Sequence, residues 1–245
     1  MRADVAARLT EPAAAGSFTP DELAGLPAPA RRFLLAAIAP GTPRAVAARL
    51  RMRGSIKLGG RWLGFRAREV LCPHRGFVWA ARVGGVVVGS DRYVDGQGTM
   101  SWKLLGLIPV MRADGRDISR SAAGRGAGEA VWVPTALLPR FGATWTATDD
   151  RHISAQYRLD DVDVELRLGL DDGARIRSLV VDRWGDPDNT GNWGLHPFEL
   201  EVTACTTFDG VTIPQAGRVG WFWGTDRWSE GEFFRYEITQ MELVR

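Results

Sequence analysis

A chain of 245 residues with 45% hydrophobic and 24% charged residues can bury a sizeable core, and a net charge of +2 is too small to mark a nucleic-acid surface. Two cysteines, Cys72 and Cys205, are too few for a disulfide scaffold, and two reduced thiols in a cytosolic protein are the simpler expectation. The longest apolar run, Phe33 to Ala39, is far below bilayer length, and Met1 to Gly16 carries Arg2, Asp4, Arg8 and Glu11. Neither a signal peptide nor an integral membrane segment is read there, and a cytoplasmic location is expected.

Residues 1–18 are expected to be a flexible N-terminus, and 19–245 a single β domain that opens with helices over 19–40. Thr19-Pro20-Asp21-Glu22 offers an N-cap threonine, a proline at the first helical position and a glutamate at the capping-box position. Ala28 to Ala39 then places Phe33, Leu34, Leu35 and Ile38 on or beside one helical face, and Pro40-Gly41 ends it. These helices read as a lid or plug.

From Val46 the period becomes two. Ala48, Leu50, Met52, Ile56 and Leu58 alternate with Arg49, Arg51, Arg53 and Lys57, which predicts a half-buried strand with a cationic outer face. Strands follow at 60–71, 76–83, 86–94 and 97–104, separated by turn residues such as Gly84-Gly85 and Asp95-Gly96. After Val110 the alternation stops, and Asp117 to Trp132 reads as an interrupted helix with a short helical turn near Thr135 to Leu138. Strands resume at 143–148, 151–159, 162–170, 174–184, 196–208, 211–223 and 232–244. About a dozen closely spaced strands predict a mainly β fold, a large curved antiparallel sheet or half-barrel wrapping one or two helices.

Ten tryptophans are well above ordinary usage. Inward positions of a curved sheet converge, so Trp79, Tyr93, Trp102, Trp132, Trp184, Trp221 and Trp223 are the candidate walls of an apolar ligand cavity. Dense aromatic core packing is the competing reading. Glu129 is the candidate for chemistry. It lies beside Ala122, Gly126, Trp132 and Val133 on the predicted helix, with Arg125 one turn earlier, and a buried carboxyl there could act as general acid or base. The alternative is a structural ion pair.

Other motifs are weak. Cys72-Pro73-His74 has no second pair at zinc spacing, and Asp182, Asp186 and Asp188 miss the register of a calcium loop, so no metal or cofactor is expected. Gly124, Gly126 and Gly128 do not form a dinucleotide fingerprint, and no nucleophile elbow, P-loop or H-E-x-x-H occurs. Of the 31 basic residues all but Lys57 and Lys103 are arginine, which suits either codon bias or anion recognition through guanidinium forks.

Several stretches together resemble an uncharacterised bacterial domain-of-unknown-function family. They include Arg53-Gly54, Gly60-Arg61-Trp62, Phe65 with Glu69, Gly76-Phe77-Val78-Trp79, Asp91-Arg92-Tyr93, Gly96-Gln97-Gly98-Thr99-Met100 and Gly106-Leu107-Ile108-Pro109. The most specific is the E-x-x-W-x-P-x-A-L-L-P run from Glu129 to Pro139, with Trp145, Asp149-Asp150, Gly210 and Ile213-Pro214 beyond it. That family is similar to the lipoprotein-carrier (LolA/LppX-like) half-barrel group. The resemblance implies a curved sheet around helices and an acyl-like apolar ligand. Relatives carry an N-terminal membrane segment that is not read here, which favours a cytosolic variant.

The sequence therefore points to a protein that binds a lipid or polyketide-like small molecule in an aromatic-lined cavity. Two rivals stand beside it: a cofactor-independent cyclase or isomerase using Glu129 in the same cavity, and an interaction module using the arginine-faced strand from Arg49 to Lys57.

Overall fold

The computed structural model describes residues 3–10 and 16–244. Six strands leave the middle of the sheet in a meander: β1 (Ala47–Leu58), β2 (Arg61–Cys72), β3 (Gly76–Val83), β4 (Val87–Val94), β5 (Gln97–Leu104) and β6 (Ile108–Ala113). The chain then crosses to the far edge and meanders back through β7 (Thr144–Ala147), β8 (His152–Leu159), β9 (Val162–Leu170), β10 (Ile176–Gly185), β11 (Gly194–Phe208), β12 (Val211–Trp221) and β13 (Glu232–Val244). β13 pairs with β1, so all 13 strands form one antiparallel sheet in the order β6-β5-β4-β3-β2-β1-β13-β12-β11-β10-β9-β8-β7. Asp95-Gly96 and Asp209-Gly210 turn two of the hairpins with both residues at positive φ, the conformation that matches strand twist.

Helices α1 (Ala3–Leu9), α2 (Ala28–Ala37) and α3 (Arg116–Glu129) pack on this sheet. α3 is the crossover, continued by 3-10 turns at Ala130–Trp132 and Pro134–Leu137. It touches β3, β4 and β5 on one wing and β9 and β10 on the other, so the sheet curves around it. Its Gly-rich end explains how closely it sits. A Cβ on Gly124 would lie 2.8 Å from Arg183 Cγ, and one on Gly126 would lie 3.1 Å from Phe77 Cδ1. The main core fills the concave side, from Phe33 and Leu34 of α2 to Leu137, Leu166 and Ile238.

Two features differ from the sequence reading. The stretch expected to be flexible holds α1, whose Val5 and Leu9 are buried against Val70, Val78 and Val94 on the convex face. Strand β6 was not predicted: five of its six residues, Ile108 to Arg112, are exposed, so no alternation betrays it, and Pro109 is tolerated because β6 is an edge strand. Cys72 and Cys205 are unpaired thiols.

Candidate functional site

Strand register lines up Leu50, Glu69, Trp79, Asp91 and Met100 across β1 to β5. Residues directly opposite in an antiparallel ladder face the same side, so two acids flank Trp79 on the concave surface. Helix α3 lies above and brings down Arg125 and Glu129. Arg125 Nε donates to Glu129 Oε1 at 2.8 Å and its Nη1 to Asp91 Oδ2 at 3.1 Å, while Nη2 stands 3.9 Å from Glu69 Oε1. The guanidinium also lies over Phe77 and Trp79, at 4.6 and 4.9 Å from the ring centres. Trp102 Nε1 donates to the other Asp91 oxygen at 2.8 Å.

One cation thus serves three buried acids. Burial works against the Arg125 charge, but Glu129, Glu69 and Asp91 outweigh it and hold the guanidinium above its ordinary value. Burial, then the neighbouring Glu129 carboxyl, pushes Glu69 well above the usual carboxylate range, against the pull of Arg125. Burial also raises Asp91, opposed by Arg125 and the Trp102 N–H. Both Glu69 oxygens and Glu129 Oε2 are buried without a donor from another residue. Burial and the neighbouring Glu129 carboxyl both favour the neutral form of Glu69, which would remove one buried charge.

Beside this cluster lies a cavity of about 320 Å³. It is lined by Trp79, Asp91, Met100, Arg125, Gly128, Glu129 and Trp132, by Phe198, Leu200, Val219, Phe233, Phe234 and Tyr236 of β11 to β13, and by Leu179 and Arg183 of β10, and the exposed Leu58 marks where it reaches solvent. The rings are held by one another: Phe234 stacks on Phe65 at 4.9 Å, and Trp132 meets Tyr236 edge-on at 5.1 Å. Tyr236 in turn donates to the Pro214 carbonyl at 3.3 Å. Most of the surface is therefore apolar and preset, with charged groups at one end.

A model of the family of unknown function DUF6544 matches residues 16–233. The chain belongs to that family. No curated protein matches this DUF6544 chain. Among the solved structures it is similar to are the following three. One, described as an outer membrane lipoprotein-sorting protein domain, from Vibrio parahaemolyticus, is 8% identical, with 80% of this chain and 84% of that one covered and a TM-score of 0.42. A DUF1329 family protein from Desulfovibrio piger is 12% identical, over 81% and 86% of the two chains, with a TM-score of 0.39. A LolA superfamily protein from Nitrosomonas europaea is 8% identical, over 82% and 86%, with a TM-score of 0.43. At these levels the functional reading rests on the geometry of the DUF6544 chain itself.

Of the residues singled out from sequence, Trp79, Trp132 and Glu129 line the cavity. Trp102 is buried just behind it, 5.7 Å from Trp79. Tyr93 faces the same side of β4 but lies in the core, where Asp160 hydrogen-bonds its hydroxyl. Trp221 is at the margin, 4.8 Å from Phe198. Trp184 lies elsewhere, donating to Asp117 under the Arg120 guanidinium, and Trp223 packs edge-on against Trp228. Phe222 takes a positive φ of 65°, which breaks the strand between Trp221 and Trp223 and separates the two rings.

Arg183, Phe198, Phe233, Phe234 and Tyr236 were not singled out, and Glu69 and Asp91 were named only among the stretches that carry the family resemblance, although Glu69 shares the inward face of Phe65, Ala67 and Leu71. Among the described residues no group of His, Cys, Asp or Glu side chains could hold a metal ion. Two of the three histidine rings serve the fold: His74 bonds the Arg158 and Ala136 carbonyls, and His152 bonds Asp149. On the convex face the arginine row of β1 is partly neutralised, with Arg53 paired to Glu237 through two bonds of 2.9 and 3.1 Å.

Proposed function

We propose that this DUF6544 protein binds a hydrophobic small molecule, lipid or polyketide-like, in the aromatic-lined cavity. The observation that carries this is the preformed space of about 320 Å³ lined by Trp79, Trp132, Phe198, Phe233 and Phe234. That volume is at the lower end of the range of about 300–1,000 Å³ for small-molecule sites, which suits one chain or a compact ring system rather than several acyl chains. Native mass spectrometry of the purified protein, followed by solvent extraction, tests the reading. A discrete added mass that extracts as an apolar molecule is expected. A chain free of ligand that also shows no tryptophan fluorescence response to apolar compounds would overturn it.

A second reading is favoured by the acids at the cavity wall. A cyclase or isomerase acting on a flexible apolar intermediate needs a confined fold for the substrate and one proton donor or acceptor. Glu129 lines the cavity next to a neighbouring carboxyl, Glu69, whose high affinity for its proton comes from burial. Turnover of a candidate substrate that survives Glu129→Gln unchanged would remove this residue from any mechanism.

A further inference from the structure

The two arginines at the charged end are not equivalent. Arg125 is committed to Glu129 and Asp91, with Glu69 beside them. Arg183, also on the cavity wall, donates from Nε and Nη2 to Ser121, at 3.0 Å to its carbonyl and 3.2 Å to its hydroxyl. No carboxylate lies within 4.0 Å of Arg183 among the described residues, and its Nη1 bonds to none of them. The guanidinium plane is fixed over two rings, 4.5 Å from the centre of Phe198 and 5.1 Å from that of Trp221. Burial, then the nearby Arg125, draws its pKa down to about 9, as expected of a cation whose counter-charge is missing.

A guanidinium has five N–H donors in a planar fork that matches a carboxylate, and Arg183 spends only part of this set. We infer that the cavity's ligand is a single-chain carboxylic acid. Its carboxylate docks on Arg183, and its apolar part lies against Phe198, Leu200, Val219 and Phe233. This rests on the cavity being a ligand site, as proposed above. A single negative charge suits the place. Among the described residues Arg183 has no carboxylate bonded to it, whereas a dianionic phosphate would also meet the nearby Asp91 and Glu129 carboxyls.

The test compares decanoate, decanol, decyl phosphate and decylammonium by calorimetry, using wild type, Arg183→Met and Arg183→Lys. Wild type should bind decanoate at least about tenfold more tightly than decanol, the scale of a charge-assisted hydrogen bond. Arg183→Met should bind decanol like wild type and lose the preference for decanoate, and Arg183→Lys should retain only part of it, lacking the fork. Decanol binding by Arg183→Met also shows that the variant is folded. A wild type that binds decanol or decylammonium as well as decanoate overturns the carboxylate assignment and leaves the cavity reading standing. So does one that prefers decyl phosphate, or an Arg183→Met variant that keeps the tenfold preference. Failure of all four probes to bind overturns both.

Discussion

Replacing Arg125 by leucine removes the single cation bonded to Asp91 and Glu129, together with the guanidinium's contact over Phe77 and Trp79, and keeps only part of the apolar stem. Taking one partner from a buried ion pair costs about 3–5 kcal/mol, because the remaining charge is left in a poorly solvated place. For a chain of this size each kcal/mol is worth roughly 2–4 °C in Tm, so a drop of roughly 6–20 °C is expected. The deficit depends on pH. Asp91 is already raised by burial and loses its main opposing partner, so its carboxyl rises further. A group whose folded pKa is raised contributes stability that is complete below the ordinary carboxylate range and is lost as pH rises through the folded value. The gap between variant and wild type should therefore be smaller at pH 5 than at pH 8. Urea unfolding at both pH values, with Arg53→Leu as a control for a solvent-exposed pair, measures it. A loss no larger than the control's, or one equal at both pH values, would refute the assignment of Arg125 as the hub of the cluster.

Two further substitutions probe the buried acids. Glu69→Gln puts a neutral amide of the same shape where burial and Glu129 already favour the neutral acid, so it should change stability by no more than about 1 kcal/mol, as read by thermal melts at neutral pH. A loss of several kcal/mol would mean that Glu69 is ionised in the fold. Glu199 is fully covered on β11, has no bonding partner for either oxygen, and is raised by burial, then by Glu201, to about 9 from an ordinary 4.5. Its contribution is complete below pH 4.5 and is lost as pH rises through about 9. Relative to wild type, Glu199→Gln should gain roughly 1–3 kcal/mol between pH 5 and pH 9, and a difference that stays constant across that range would contradict the reading.

The strands were legible where one face is buried. β2 alternates Phe65, Ala67 and Leu71 against Arg66 and Arg68, and the structure gives the boundaries of β3 and β5 as the sequence predicts them. β6 was not, because both of its faces meet water. Within the site, the Arg125–Glu129 pair follows from helical spacing alone. The rest of the cluster depends on long-range placement. Glu69 and Asp91 become neighbours of Glu129 only once strand register sets them on either side of Trp79 and α3 is laid across the sheet. Arg183 reaches the same end because curvature brings β10 under the helix, where Gly124 lets it approach. Tryptophan count was an imperfect guide for a local reason: Trp223 follows the reversal at Phe222, so its spacing from Trp221 carries no facing information.

The central claim is that the aromatic-lined cavity is a ligand site, and saturable binding of a neutral apolar fluorophore, N-phenyl-naphthylamine, tests it most directly. Wild type should bind one probe per chain with a rise in probe emission. Val219→Trp, which places an indole on the wall of a cavity of about 320 Å³, should abolish that binding while melting like wild type. Absence of saturable binding to wild type, or binding unchanged in a folded Val219→Trp variant, would contradict the account.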